Sequence, residues 1–135
     1  MRRKRDAADR REVIGKDVVG FWTVEVTFRT GKFARICSAE AEMVRTFGPA
    51  LARRLRTRLT ELDQAATLAE MRKLPHVRAH QLQRDRDEQI SLDFHHPRRL
   101  IVEVNHDPIP RLPDGGLDWE SITAVVIVEV ADTHA

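Results

Sequence analysis

Apolar and polar residues alternate near the start of this chain, recur at helical spacing through its middle, and alternate again towards its end. Val24, Val26 and Phe28 interleave with Thr23, Glu25 and Thr27 inside the β-former-rich stretch Val18 to Phe28, which predicts a half-buried strand. Thr30-Gly31 marks a turn, after which Phe33, Ile36 and Cys37 fall on one helical face. Ser38 is positioned to cap a second short helical stretch containing Met43 and Val44. Gly48-Pro49 is a break, with Pro49 suited to the first turn of a new helix. Leu51, Leu55, Leu59 and Leu62 then recur at helical spacing while Arg53, Arg54, Arg56 and Arg58 take the remaining faces, the strongest helical pattern in the chain. Thr67-Leu-Ala-Glu70 has the spacing of a capping box, and Pro75 closes the helical part.

After Pro75 the period becomes two. A histidine- and arginine-rich segment (Arg78, His80, Leu82, Arg84, Asp85, Arg86) leads into a strand in which Ile90, Leu92 and Phe94 point one way and Gln89, Ser91 and Asp93 the other. His95-His96-Pro97 is a turn and Arg98 to Val104 the return strand. Residues 105–120 hold three prolines and two glycines and form a loop, in which Trp119 is expected to pack beneath the chain. Ile122 to Val130 is apolar on both faces in its middle, as a covered central strand would be. Strand, helices, then a run of strands is an α+β order: a small twisted, mostly antiparallel sheet with N-terminal helices packed on one face. Residues 1–17 lack apolar periodicity and read as a basic flexible arm, leaving 18–135 as one domain.

Charge adds an asymmetry that the net value of +2 conceals. Residues 1–60 carry 15 Lys/Arg against 7 Asp/Glu, and residues 61–135 carry 8 against 14. A basic half can follow a phosphate backbone, and arginine outnumbers lysine 19 to 4, which suits bidentate phosphate contacts. The same charge would equally serve as an ordinary solvated helix surface. A single cysteine, Cys37, excludes an internal disulfide and suits a reducing compartment. No apolar run reaches the roughly 18 residues of a membrane span, and the basic N-terminus has no apolar stretch behind it, so the cytoplasm is the expected location. His76 and His80 are four apart and His95-His96 are adjacent, but no H-E-x-x-H or paired-cysteine pattern is present, so no metal site is expected. With no glycine-rich phosphate loop, no nucleotide cofactor is implied either.

From Trp22 to His134 the chain resembles the RelE/ParE superfamily of type II toxin–antitoxin toxins, most closely its HigB-like "killer protein" branch. The resemblance is carried by the segment Ala50 to Leu62, His80-Gln-Leu82 with Asp85-Arg86, Gln89-Ile-Ser91, Arg99-Leu-Ile-Val102, Gly116-Leu-Asp118-Trp119 and the closing Asp132-Thr133-His134. No one piece is specific; their order and spacing carry the likeness. It implies a RelE/ParE-like domain, a cognate antitoxin that often has a helix-turn-helix domain, operator DNA bound by the pair, and, in many members, cleavage of mRNA on the ribosome. No cofactor and no membrane partner is expected.

Cleaving RNA without a metal requires a base for the 2′-hydroxyl, cations for the charged phosphorane and an acid for the leaving 5′-oxygen. The resemblance points to His80, Arg99, Asp132 and His134 for these roles; on the nuclease reading Arg84 joins them as a second cation, and Arg53, Arg54, Arg56, Arg58, Arg86 and Arg98 contact RNA. The branch usually has Lys-Gly where this chain has Gln83-Arg84, an aromatic residue where it has Arg98, and tyrosine where it has Thr133; there is no tyrosine anywhere in the sequence. Taken without the resemblance, His80 reads as a hairpin-edge residue and Arg99 as the partner of Asp93 or Glu129 in a cross-strand ion pair. The expectation is therefore a ribosome-dependent endoribonuclease toxin. The alternatives are a catalytically degenerate binding protein of the same fold, or a ParE-like gyrase inhibitor.

Overall fold

A computed structural model describes residues 23–83 and 88–132. Among them are four α-helices and five strands: β1 (Glu25–Phe28), α1 (Gly31–Cys37), α2 (Glu40–Phe47), α3 (Pro49–Gln64), α4 (Ala69–Arg72), β2 (His80–Gln81), β3 (Gln89–His95), β4 (Arg98–Val104) and β5 (Ala124–Asp132), with a 3-10 turn at Trp119–Ser121. The strands form one sheet in the order β1-β5-β4-β3-β2. Only β1 runs parallel to its neighbour, β5; the other pairs are antiparallel. The architecture is α+β, as the order of apolar patterns predicts. The basic arm, Trp22, Arg84, Arg86 and His134 lie outside the described residues.

The helical layer follows its sequence signals closely, with two differences at the caps. Thr30 caps α1, its hydroxyl accepting from the Phe33 N–H at 3.1 Å. Ser38 does not cap α2: its hydroxyl turns back to donate to the Arg35 carbonyl at 2.8 Å and ends α1, leaving Ala39 at the start of α2. Gly48 takes φ 85°, a conformation open to glycine, and so ends α2 and begins α3 on one residue, with Pro49 in the first turn. The Thr67–Glu70 capping box does not form. Leu68 precedes α4 without a side-chain cap, and the Glu70 carboxylate pairs instead with Lys73. Helix α3 buries Ala52, Leu55, Arg58 and Leu62 against the sheet, so a charged residue occupies one of its four most enclosed positions.

The core lies between this layer and one face of the sheet. Ile90, Leu92 and Phe94 of β3, Leu100, Val102 and Val104 of β4, and Val125 and Ile127 of β5 supply the sheet side. A register shift at Ile101/Val102, which pair with Glu129 and Ile127, leaves Val128 as an extra residue in β5. This bulge reverses the phase of β5, so Ile127 before it and Val130 after it both meet the core. The loop after β4 is pinned by Trp119, which is buried with the Arg72 guanidinium of α4 lying 3.8 Å from its ring centroid.

Candidate functional site

The face of the sheet turned away from the helices carries Ser91 and Asp93 of β3 and Arg99 and Glu103 of β4, with the fully buried Ile101 among them. Register places His80 of β2 opposite Ser91 of β3, and Asp93 of β3 opposite Arg99 of β4. Directly opposed residues in an antiparallel pair point the same way, so these four share one face. They also touch. Arg99 brings Nη1 to 3.4 Å from His80 Nε2 and 3.4 Å from Ser91 Oγ, and its Nε to 3.2 Å from Asp93 Oδ1. Ser91 is fully buried, Asp93 and Arg99 are partly buried, and His80 is exposed, so the cluster has a firm floor and one accessible imidazole.

The orientation of His80 follows from its second contact. Nδ1 lies 3.0 Å from the Arg78 carbonyl oxygen. A carbonyl can only accept, so Nδ1 carries the hydrogen and Nε2 is left as the acceptor facing Arg99. Arg78 achieves this with φ 48°, a left-handed conformation unusual for a residue with a side chain. Its own Nε reaches 3.4 Å from Asp93 Oδ2, so Arg78 fixes the imidazole with its backbone and contacts the carboxylate with its side chain. The Asp93 Oδ1 atom is buried and makes no aligned hydrogen bond, although Arg99 Nε is close enough for ion pairing.

No family model, curated protein or solved structure matches this chain. The site therefore rests on its own geometry.

The remaining expected residues are spread more widely. Asp132 pairs in register with Arg98, while Ala131 is the residue opposite Arg99. Alternation turns Arg98 and Asp132 to the side of Leu100 and Val130, the helix side, so neither joins His80 and Arg99 on the other face. Arg53, Arg54 and Arg56 are exposed on α3, in the layer across the sheet from His80, and Arg56 is paired with Glu40. Arg58 departs from its expected role as an RNA contact. It is 5% exposed, ion-paired with Glu61, and donates Nε to the Asp93 carbonyl at 2.7 Å. A guanidinium enclosed in that way presents nothing to a phosphate backbone. Arg84, Arg86 and His134 fall outside the described residues.

Three residues join the cluster that the sequence-based list of site residues lacks: Arg78, Ser91 and Asp93. The alternation Gln89-Ser91-Asp93 already set Ser91 and Asp93 on one face, and a cross-strand pair of Arg99 with Asp93 or Glu129 was expected; the register selects Asp93 and adds Ser91. Arg78 had no signal, because nothing in a Val-Arg-Ala context announces a positive φ. At the other end of the same face, Glu103 accepts from Arg29 Nη2 at 2.8 Å and from Gln89 Nε2 at 3.1 Å. Burial pushes its carboxyl upward, but these hydrogen bonds and the Arg29 charge outweigh burial and hold it below the usual carboxylate range. Burial raises the Cys37 thiol to about 11, which leaves it a poor nucleophile. Among the described residues, no group of three or more His, Cys, Asp or Glu is arranged to hold a metal ion, and no helix is long and apolar enough to cross a membrane. A cavity of about 490 Å³ lies between α1 and α2, lined by Lys32, Arg35 and Glu42 among others, and includes none of the site residues.

Proposed function

We propose that this chain is the toxin of a type II toxin–antitoxin pair and cleaves mRNA on the ribosome, in the cytoplasm and without a metal ion. The observation that carries this reading is the contact between His80 Nε2 and the Arg99 guanidinium, with His80 Nδ1 held by the Arg78 carbonyl. An acceptor nitrogen beside a cation is the pair that transesterification of RNA requires. His80 Nε2 takes the proton of the 2′-hydroxyl as its oxygen attacks the adjacent phosphorus. Arg99 offsets the charge that gathers on the non-bridging oxygens. The P–O5′ bond then breaks, giving a 2′,3′-cyclic phosphate and a 5′-hydroxyl, with the leaving oxygen protonated by a general acid, the role assigned to His134. So small a set gains from a ribosome that holds the linkage in line, because orientation alone is worth several kcal/mol, about 7–11 in well-aligned systems. The cognate antitoxin would bind this protein, and the complex would bind operator DNA.

Expression in a bacterial host tests this. The parent should arrest growth, with primer extension showing new mRNA ends at codon boundaries; His80→Ala and His134→Ala should each remove both effects. Arrest of equal strength by His80→Ala would eliminate the proposed role of His80.

Two observations favour a second reading, a binding protein with a degenerate site. Asp93 already neutralises Arg99, and Asp132 is on the helix side of the sheet. On that reading the protein binds an antitoxin tightly, mRNA stays intact throughout expression, and His80→Ala changes nothing.

A further inference from the structure

Strand β2 is only two residues long and covers Ile90 and Ser91 of β3. Beyond it, the outer edge of β3 has no strand partner among the described residues, yet the N–H and C=O of Asp93 both point that way, since the two groups of one residue face the same side. The structure closes this gap with two unrelated pieces. The Asp93 N–H donates to the Val77 carbonyl at 2.7 Å, and the Asp93 carbonyl accepts from Arg58 Nε at 2.7 Å. Arg58 reaches across from α3, is 5% exposed, and is anchored by its ion pair with Glu61, whose other oxygen lies 3.1 Å from His76 Nε2. Just after Asp93, the strand also shifts register against β4, between Asp93 and His95.

Asp93 is also the residue whose side chain faces Arg99 Nε at 3.2 Å. We propose that Arg58 is a positioning residue for the His80–Arg99 site: by gripping the Asp93 carbonyl it sets the carboxylate that aims the Arg99 guanidinium. This rests on the cleavage reading above. A buried arginine is a poor choice for packing alone, because removing its charge from water is costly and an apolar residue would fill the space. What arginine adds is direction. Nε and Nη1 diverge from one rigid plane, so one side chain holds Glu61 on its own helix and a chosen carbonyl on the sheet.

The test reads Arg99 directly. Solvent exchange of the Arg99 Nε–H, followed by nitrogen-15 NMR on the full chain, is compared in the parent, Arg58→Met, Arg58→Lys and Leu62→Val. The last is a control that loosens the same helix at a fully buried apolar position. Arg58→Met should speed the exchange at least about tenfold. Arg58→Lys, which keeps the charge and folds more readily, should speed it less, and Leu62→Val should leave it within about twofold. In ribosome-programmed cleavage, Arg58→Lys should lower kcat about tenfold with KM within about twofold, the signature of a misaimed group rather than lost binding. Unchanged Arg99 exchange in both Arg58 variants, or equal acceleration in Leu62→Val, would overturn the proposal. If the parent cleaves no RNA, the cleavage reading fails by itself, and the exchange rates still decide whether Arg58 governs Arg99.

Discussion

Replacing Arg58 with methionine separates its packing from its polar contacts. Methionine keeps most of the apolar stem and its volume but loses every donor. Two costs follow. The Asp93 carbonyl, now held at 2.7 Å by Nε, loses its hydrogen bond, worth about 1–3 kcal/mol for a group kept from water. Glu61 loses its cation; for a fully enclosed pair this would cost about 3–5 kcal/mol, but the Glu61 side chain is 24% exposed and can regain water, so the lower part of that range is an upper bound here. The sum is about 2–4 kcal/mol after relaxation, or a fall in Tm on the order of 8–16 °C for a domain of this size. Thermal and urea melts followed by circular dichroism measure it. Adding Glu61→Leu to Arg58→Met should recover about 1–2 kcal/mol, because the stranded carboxylate is removed while the stranded carbonyl stays. A single variant melting within 2 °C of the parent (about half a kcal/mol), or a double variant less stable than the single, would refute the energetic role assigned to this arginine.

Two further outcomes follow from local strain and charge. At Arg78 the backbone φ of 48° costs a residue with a side chain roughly 1–2 kcal/mol, whereas the exposed ion pair to Asp93 returns at most about 1. Arg78→Gly should therefore melt close to the parent and Arg78→Val clearly below it; equal melting of the two variants would contradict the strain. Because the folded carboxyl of Glu103 lies below the usual range, its contribution is present above the ordinary carboxylate value of about 4.3 and disappears as pH falls through the folded value. Glu103→Gln should cost up to about 1 kcal/mol at pH 7 and nothing measurable near pH 2, with melts at both pH values as the check. A gap that persists unchanged in acid would contradict it.

Local patterns along the chain marked its architecture well. The bounds of β4 coincide with the predicted return strand, whose apolar run Leu100-Ile101-Val102 and Val104 follow the turn at His95-His96-Pro97. Helix α3 was legible from its leucines and from Gly48-Pro49. The two cap expectations failed at short polar side chains, for which the pattern does not say where the hydroxyl will turn. Ser38 turned back to Arg35 rather than forward, and Thr67 left the start of α4 to Leu68. Arg58 misled because a helical wheel shows which faces are available, not which one the sheet will cover. The edge of β3 needed a donor at Asp93, and only the assembled sheet reveals that need. For the site, His80 and Arg99 could be chosen from their segments, but their meeting depends on a two-residue β2 and on the β3–β4 register. Asp132 ended on the other side because consecutive strand residues alternate, so a carboxylate one position past Ala131 faces away from Arg99.

The most direct test is the chemistry of the cut ends. Purified protein, ribosomes and a defined mRNA are incubated with a chelator present, and the RNA termini are analysed by mass spectrometry. If His80 and Arg99 act as base and cation on a phosphodiester, the parent leaves 2′,3′-cyclic phosphate and 5′-hydroxyl ends, and His80→Ala and Arg99→Ala each reduce cleavage by about a hundredfold or more. Uncut mRNA in the parent reaction, or full cleavage by the His80→Ala protein, would contradict that chemistry.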